Sequence, residues 1–346
     1  MPTQKVFRLH SRTSYRALNL HEEEIPSPDK HEVLLKVKSI SLNFRDVAVS
    51  DGTYPFPVKD MVVPCSDACG EVVDAGTAVT NVGKGDHVVC TFDPTILYGA
   101  QRNWNNGFGG PMDGMLRQYI AVPAAAVVKV PTDAGVSTAS WASMVCTGVT
   151  AWNCFYGNMP LRPGQTVLFQ GTGGVSMTGL QIAKNAGAIT IVTSSSDAKL
   201  QLVKEQFGAH HTINYKTTDW AQEALKLTGG RGVDYIIENG GSGTIKQSLA
   251  AIAMGGIISV VGFLSAAAQE DMPDVAGLAL SKGAVVRGIN VGSTQLLEEA
   301  VRFFGANKIA IPVDKVFGFS RDEVIDAFEY LTSGSHIGKV CIDLEK

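Results

Sequence analysis

Several things are scarce in the 346-residue sequence, and each scarcity excludes a class of protein. Its six cysteines, at 65, 69, 90, 146, 154 and 341, are scattered rather than clustered, so they do not form a secreted disulfide framework, and a reducing compartment is the simpler reading. Positive charge is not in excess: 29 Lys and Arg against 33 Asp and Glu leave a formal net charge of −4. Nothing there resembles a basic footprint for nucleic acid. The opening residues MPTQKVFRLHSRTSYRAL contain no apolar stretch of secretory length and few of the hydroxyl and basic residues of an import signal, so a cytoplasmic location is expected. One uncharged run, residues 248–268, is long enough to suggest a membrane span. Gly255-Gly256 divides it, and it reads as a helix, a turn and a buried strand, IISVVG, with no membrane partner expected.

What is present is the composition of an ordinary globular protein, 45% apolar and 18% charged with 37 glycines, in a chain long enough for two domains. Within residues 1–128, EVLLKVKSISLNF, GEVVDAG, GDHVVCTF, MLRQYIAV and AAVVKVP read as short strands punctuated by turn residues, which suggests a compact barrel or sandwich. Within residues 129–295, strands and helices alternate: TVLFQ, ITIVT, HTIN, VDYIIE, IISVVG and AVVRGI are each preceded or followed by a helical period. That alternation is the mark of an α/β, doubly wound parallel sheet. Helices near LLEEAVRFF and RDEVIDAFEYL and a strand GKVCIDL close the chain.

Between the strand TVLFQ and the helix that follows, Gly171, Thr172, Gly173, Gly174 and Val175 occupy the strand-to-helix turn of a dinucleotide fingerprint. Gly171 permits the sharp turn, Gly173 removes a side chain that would block a diphosphate, and the N–H groups of the new helix face the anion. Ser176 stands where the third glycine is usual. About twenty residues on, a site for NADH would carry a carboxylate against the ribose. The strand ITIVT runs instead into Ser194, Ser195 and Ser196, with Lys199 one helical turn further, so a 2′-phosphate meets no repulsion and NADPH is the expected cofactor. Asp197 is the residue that argues against it.

These residues, with SLNFRD (41–46), GDHV (85–88), CTGVTAW (146–152), TSSSDAK (193–199), HHTINY (210–215) and HIGKV (336–340), resemble the medium-chain dehydrogenase/reductase superfamily and, within it, the zinc-independent quinone-oxidoreductase-like branch. The resemblance implies a GroES-like, β-barrel-type substrate domain (1–128, completed by 296–346), a Rossmann domain (129–295) and an active site in the cleft between them. It places Thr147 near the nicotinamide, and Ser195, Lys199 and Tyr215 around the 2′-phosphate. Asn239, Gly240, Gly262, Phe263 and Leu264 would line the cofactor cleft, and Val291, Ser293 and Lys339 would close it. Asn43 and Tyr54 match positions near hydride transfer; Tyr54 would donate to a substrate carbonyl, or else be an aromatic of a TYPFP turn. Asp46 reads as a structural acceptor.

The same resemblance raises the question of zinc. Asn43 stands where the zinc branch has its first cysteine, CSDACGE (65–71) carries no histidine, and no second pair follows Cys65 and Cys69, so no metal is expected. Without a Lewis acid, and with no histidine or lysine evident to hold an alkoxide, hydride transfer to a quinone or α,β-unsaturated carbonyl is the easier chemistry. A zinc-free carbonyl or alcohol oxidoreductase and a non-catalytic NADPH-binding protein are the alternatives. Residues 94–116, irregular and rich in Gly, Asn and aromatics, read as a substrate wall or a surface excursion. The apolar sixth strand, 283–289, is expected at a sheet edge, where it would pair two subunits into a homodimer.

Overall fold

In the computed structural model, which describes residues 2–346, the chain divides into one unit of Met1–Val149 with Val291–Lys346 and another of Thr150–Asn290. The first begins with β1 (Thr3–Leu9), β2 (Leu18–Glu24), β3 (Glu32–Ser41), α1 (Phe44–Asp51), β4 (Asp67–Ala75), β5 (His87–Cys90), β6 (Tyr119–Pro123), β7 (Val127–Lys129) and α2 (Thr138–Ala142). Helix α3 (Val149–Tyr156) leads into β8 (Thr166–Gln170), α4 (Gly174–Asn185), β9 (Ile189–Ser194), α5 (Asp197–Phe207), β10 (His211–Asn214), α6 (Trp220–Leu227), β11 (Val233–Glu238), α7 (Ile245–Ala251), β12 (Ile252–Val260), α8 (Val275–Lys282) and β13 (Val285–Gly288). The chain then re-enters the first unit as α9 (Thr294–Ala306), β14 (Val313–Phe317), α10 (Arg321–Thr332) and β15 (Lys339–Asp343).

The unit boundaries fall at 149/150 and 290/291, against the 128/129 and 295/296 read from the sequence. Residues 129–149 belong with the first unit because α2 packs on β3 and β4. In that unit β3 is the organising strand. It pairs with β4 on one flank and, on the other, with β6 along Glu32–Lys36 and with β15 along Ser39–Ser41, all antiparallel. The full sheet runs β14-β15-β3-β4-β5-β7, and β1 and β2 form a separate antiparallel ribbon. Side chains such as Phe7, Val37, Ile40, Met115, Phe328 and Ile342 fill one core.

The register of β15 on β3 matters for the site. Cys341 lies opposite Ser41, and the Leu42 N–H donates to Val340 O at 2.9 Å, so continuing the ladder brings Lys339 opposite Asn43. Asn43 is also the N-cap of α1, and its N–H donates to Asp46 Oδ2 (2.8 Å). The helix ends at Gly52, whose φ of +82° and close approach to Arg12 O exclude a side chain.

The second unit is a six-stranded parallel sheet in the order β10-β9-β8-β11-β12-β13, the doubly wound order with its reversal between β8 and β11. Leu168, Ile191, Trp220, Ile236 and Ile258 pack together at its core. Strand β13 is at the edge, as its apolar sequence suggested, and α8 beside it buries none of its residues. One local reading changes. Gly255-Gly256 is not a turn between elements but an irregular part of β12, which begins at Ile252; Gly255 has φ of +72° and the pairing with β11 shifts register there. Among the described residues no helix is long and apolar enough to cross a membrane.

Candidate active site

In the first unit a polar cluster is assembled from three distant stretches of chain. Residues Met144–Gly148 form a π-helical turn, a wide coil that often marks functional positions, and it carries Cys146 and Thr147. The ammonium of Lys339, brought in by β15, is buried and donates to Leu42 O (2.6 Å), Asn43 Oδ1 (2.6 Å) and Thr147 Oγ1 (3.1 Å). All three of its hydrogens are thereby engaged. The Thr147 hydroxyl in turn donates to Asn43 Oδ1 at 3.3 Å. The amide nitrogen Nδ2 of Asn43 is buried facing the Asp67 carboxylate, without a well-formed hydrogen bond.

Two buried carboxylates balance the charge. Asp67 accepts from the Ser66 hydroxyl (2.6 Å) and the Cys146 N–H (3.1 Å); burial pushes its carboxyl up, against the pull of the Lys339 ammonium. Asp46, fully enclosed, is pushed up to about 6 by burial, opposed by Arg45. Arg45 Nη1 donates to Phe108 O at 2.9 Å, and its guanidinium carbon lies 5.0 Å from the Tyr54 ring centre and 4.9 Å from that of Phe92. Tyr54 is therefore joined to the cluster through Arg45. Its ring meets Phe56 edge-on at 5.3 Å, and Phe56 stacks on Trp104 at 3.9 Å, so residues 94–116 contribute a half-buried aromatic wall to this unit.

The second unit carries the glycine turn. Gly171 has φ of +77°, Gly173 is the extended N-cap of α4, and a Cβ built at either would meet nothing within 4 Å. Thr172 is buried, while Gly173, Gly174 and Val175 are half-buried at the head of the helix. Ser176, in place of the third glycine, does more than remain small: its hydroxyl donates to Gln170 O (2.8 Å), and Asn239 Nδ2 donates to both Gln170 O (2.9 Å) and Ser176 Oγ (3.0 Å). The turn is thus clipped to the end of β11. Gly240 and Gly262 lie just past β11 and β12; a Cβ at Gly262 would approach Asn239 O to 2.3 Å, and Leu264 N–H donates to that oxygen at 3.2 Å. Phe263 and Leu264 are exposed.

At the end of β9, Ser194 is buried, Ser195 and Lys199 are half-buried, and Ser196 caps α5. Tyr215, exposed, donates its N–H to Ser194 O (3.1 Å). Asp197, the carboxylate that argued for NADH, accepts from Asn214 Nδ2 at 2.8 Å. Val291 and Ser293 belong to the first unit, where Ser293 caps α9 and Val291 holds φ of +46°, strained for a β-branched residue.

Two functional elements escaped the sequence. The first is the role of Lys339, which was expected at the cofactor cleft and is here the hub of the polar cluster beside Asn43. The second is Glu238, wholly buried, which accepts from Gln170 Nε2 (2.8 Å), the N–H groups of Gly240 (2.9 Å) and Gly241 (3.0 Å), and the hydroxyls of Thr244 and Ser248. Its signal was a charge closing an otherwise apolar strand, VDYIIE. It fixes the loop after β11 and orients Gln170.

A zinc ion needs thiolate, imidazole or carboxylate donors around an open position. Here the cluster offers an amide, a hydroxyl, the Cys146 thiol pushed up to about 12 by burial, the Asp46 and Asp67 carboxylates already engaged by Asn43, Ser66 and Cys146, and a resident ammonium that repels a cation. No group of three or more His, Cys, Asp or Glu converges on a metal-binding point among the described residues. These residues do not fit the metal.

Family models match the chain at residues 29–132, as an alcohol dehydrogenase GroES-like domain, and at 174–306, as a zinc-binding dehydrogenase. A zinc-type alcohol dehydrogenase-like protein of Schizosaccharomyces pombe is 41% identical over 340 residues, covering 96% of this chain and 97% of that one. The crystal structure of a putative alcohol dehydrogenase from Sinorhizobium meliloti superimposes with a TM-score of 0.88 at 35% identity, over 99% and 100% of the two chains. Escherichia coli quinone oxidoreductase complexed with NADPH gives a TM-score of 0.81 over 98% and 100%, and at 22% identity that likeness is one of fold alone. With a doubly wound sheet, a glycine turn between β8 and α4 and relatives along its whole length, the chain belongs to the medium-chain dehydrogenase/reductase superfamily of oxidoreductases.

Proposed function

We propose that this protein is an NADPH-dependent reductase that delivers hydride to a quinone or an α,β-unsaturated carbonyl without zinc. The observation that carries the reading is the donor set of the polar cluster: Lys339, Asn43 and Thr147 hold one another by hydrogen bonds and leave no ligand set for a metal. NADPH, when bound, supplies the hydride. Gly171–Val175 receive its diphosphate on exposed N–H groups, and Ser194, Ser195, Lys199 and Tyr215 receive the 2′-phosphate. The engagement of Asp197 by Asn214 supports that preference, because the carboxylate is drawn toward β10. Asn239, Gly240, Gly262, Phe263 and Leu264 flank the dinucleotide, with Val291 and Ser293. Thr147 lies beside the nicotinamide.

In conjugate reduction the substrate's own carbonyl takes the negative charge as hydride reaches the far carbon, so the chain needs to supply only a hydrogen bond and, later, a proton. Asn43 and Tyr54 are the residues proposed to meet that oxygen. The Tyr54, Phe56 and Trp104 rings favour flat, conjugated substrates.

A second reading, carbonyl reduction, is favoured by one feature: the buried positive charge of Lys339 beside Asn43 would also steady an alkoxide. The two are separated by incubating the protein with NADPH and a panel of quinones, enones, aldehydes and ketones and identifying products by mass spectrometry. Loss of C=C or quinone supports the proposal; alcohols with C=C intact support the second reading. NADPH bound tightly but unconsumed across the panel would leave a non-catalytic binding protein. The edge strand β13 and the unburied α8 support pairing of two copies, which light scattering on the eluted protein tests; a purely monomeric mass rejects it.

A further inference from the structure

Lys339 was expected to close the cofactor site, yet every hydrogen of its ammonium is engaged within its own unit. A saturated, buried ammonium cannot itself donate to a substrate. It does, however, dictate the orientation of its neighbour. An amide side chain fits a site in two senses, and here one of them would set the NH₂ of Asn43 against an NH₃⁺ at 2.6 Å. Asn43 Oδ1 is therefore held toward Lys339 and receives the Thr147 hydroxyl as well. What remains is Nδ2, on a residue nine-tenths buried; it faces the Asp67 carboxylate but makes no well-formed hydrogen bond there. That carboxylate also takes the Cys146 N–H and the Ser66 hydroxyl, and only one of the two Nδ2 hydrogens can face it. The second hydrogen is left without an acceptor, and a buried donor in that state is costly.

From this we infer that Lys339 is a positioning residue: it locks the Asn43 amide so that Nδ2 is the hydrogen-bond donor to the oxygen of the reducible group, which makes Asn43 the catalytic donor and assigns Lys339 no contact with substrate. The inference rests on the reductase reading for its substrate and on the hydrogen bonds of the cluster for its geometry. Strand β15 carries the lock, and the pairing that places it is the antiparallel register with β3.

The test is a double-mutant cycle of K339M and N43A, read as kcat and KM for the best substrate, with NADPH affinity and melting temperature measured alongside. Loss of a transition-state donor lowers kcat by about a hundredfold or more. Each single variant is expected to lose kcat to that extent with KM and NADPH affinity within about threefold, and the double variant to fall no further than the worse single. Losses that multiply would overturn the inference, since a lysine with only a structural role acts independently of Asn43. If K339M does not fold, N43D serves in its place. The carboxylate keeps the contact with Lys339 while deleting the donor, so a well-folded N43D is expected to lose kcat like N43A; full activity would overturn the assignment. Spectra of isotope-labelled asparagine read the amide with no substrate present. One slowly exchanging Asn43 NH₂ pair in wild type, doubled or exposed to solvent exchange in K339M, is expected, and an identical pair in both proteins rejects the lock. If wild-type protein reduces nothing in the panel, the reductase reading fails while these spectra still decide the lock.

Discussion

Gly173→Val separates folding from cofactor binding. Gly173 has φ of −76° and ψ of −178°, an extended conformation that any residue adopts, and a Cβ there meets nothing within 4 Å. Neither strain nor clash follows, so the melting temperature should stay within a few degrees of wild type. The empty space is the approach proposed for the diphosphate. A branched side chain there pushes the anion off at least one N–H of the helix head, and a hydrogen bond to a charged group contributes about 1.5–3 kcal/mol, or roughly a 10- to 150-fold weakening of NADPH. Titration calorimetry on the full chain reads the affinity, with thermal unfolding as the control. A Gly173→Val protein that binds NADPH as wild type does would refute the placement of the diphosphate. Gly171 offers the contrast, because at φ of +77° even alanine brings backbone strain on the order of 1 kcal/mol.

Two further outcomes follow from the site. Lys199→Ala should raise the KM for NADPH about 5- to 30-fold, the worth of roughly 1–2 kcal/mol for a half-buried cation on a phosphate, and leave NADH unchanged; steady-state kinetics with both coenzymes checks it, and an unaltered preference counts against the proposed phosphate site. Asp46 titrates near 6 in the folded chain against 3.8 in its ordinary state, so its neutral form favours folding. Its contribution is whole below pH 4 and lost as the pH rises through 6, about 3 kcal/mol in all. Asp46→Asn, which keeps an acceptor for the Asn43 N–H, should remove that part of the slope in denaturant titrations between pH 4 and 7, and an unchanged slope contradicts the burial argument.

Much of the second unit was legible because its strands are continuous apolar runs ended by glycine or polar residues, a pattern that local sequence carries by itself. The first unit was harder. The β1–β2 ribbon keeps alternate charged residues in water, so TQKVFRL and LNLHEEE read as polar, and α1 is a short amphipathic turn hidden behind SLNFRD. The glycine turn could be found from its spacing, whereas Lys339 could not be given its role. Its hydrogen bond to Asn43 joins residues 296 apart and depends on the register of two strands, which no local pattern encodes. Glu238 was missed for a related reason: five donors from three segments satisfy it, and only their convergence distinguishes it from a strand-end charge.

The zinc-free reading is tested most directly by measuring metal content and turnover on the same sample. After dialysis against phenanthroline, with zinc verified absent by mass spectrometry, the protein should oxidise NADPH with its quinone or enone substrate at the rate of the untreated protein. Activity that disappears with the metal and returns on adding stoichiometric zinc would contradict the account.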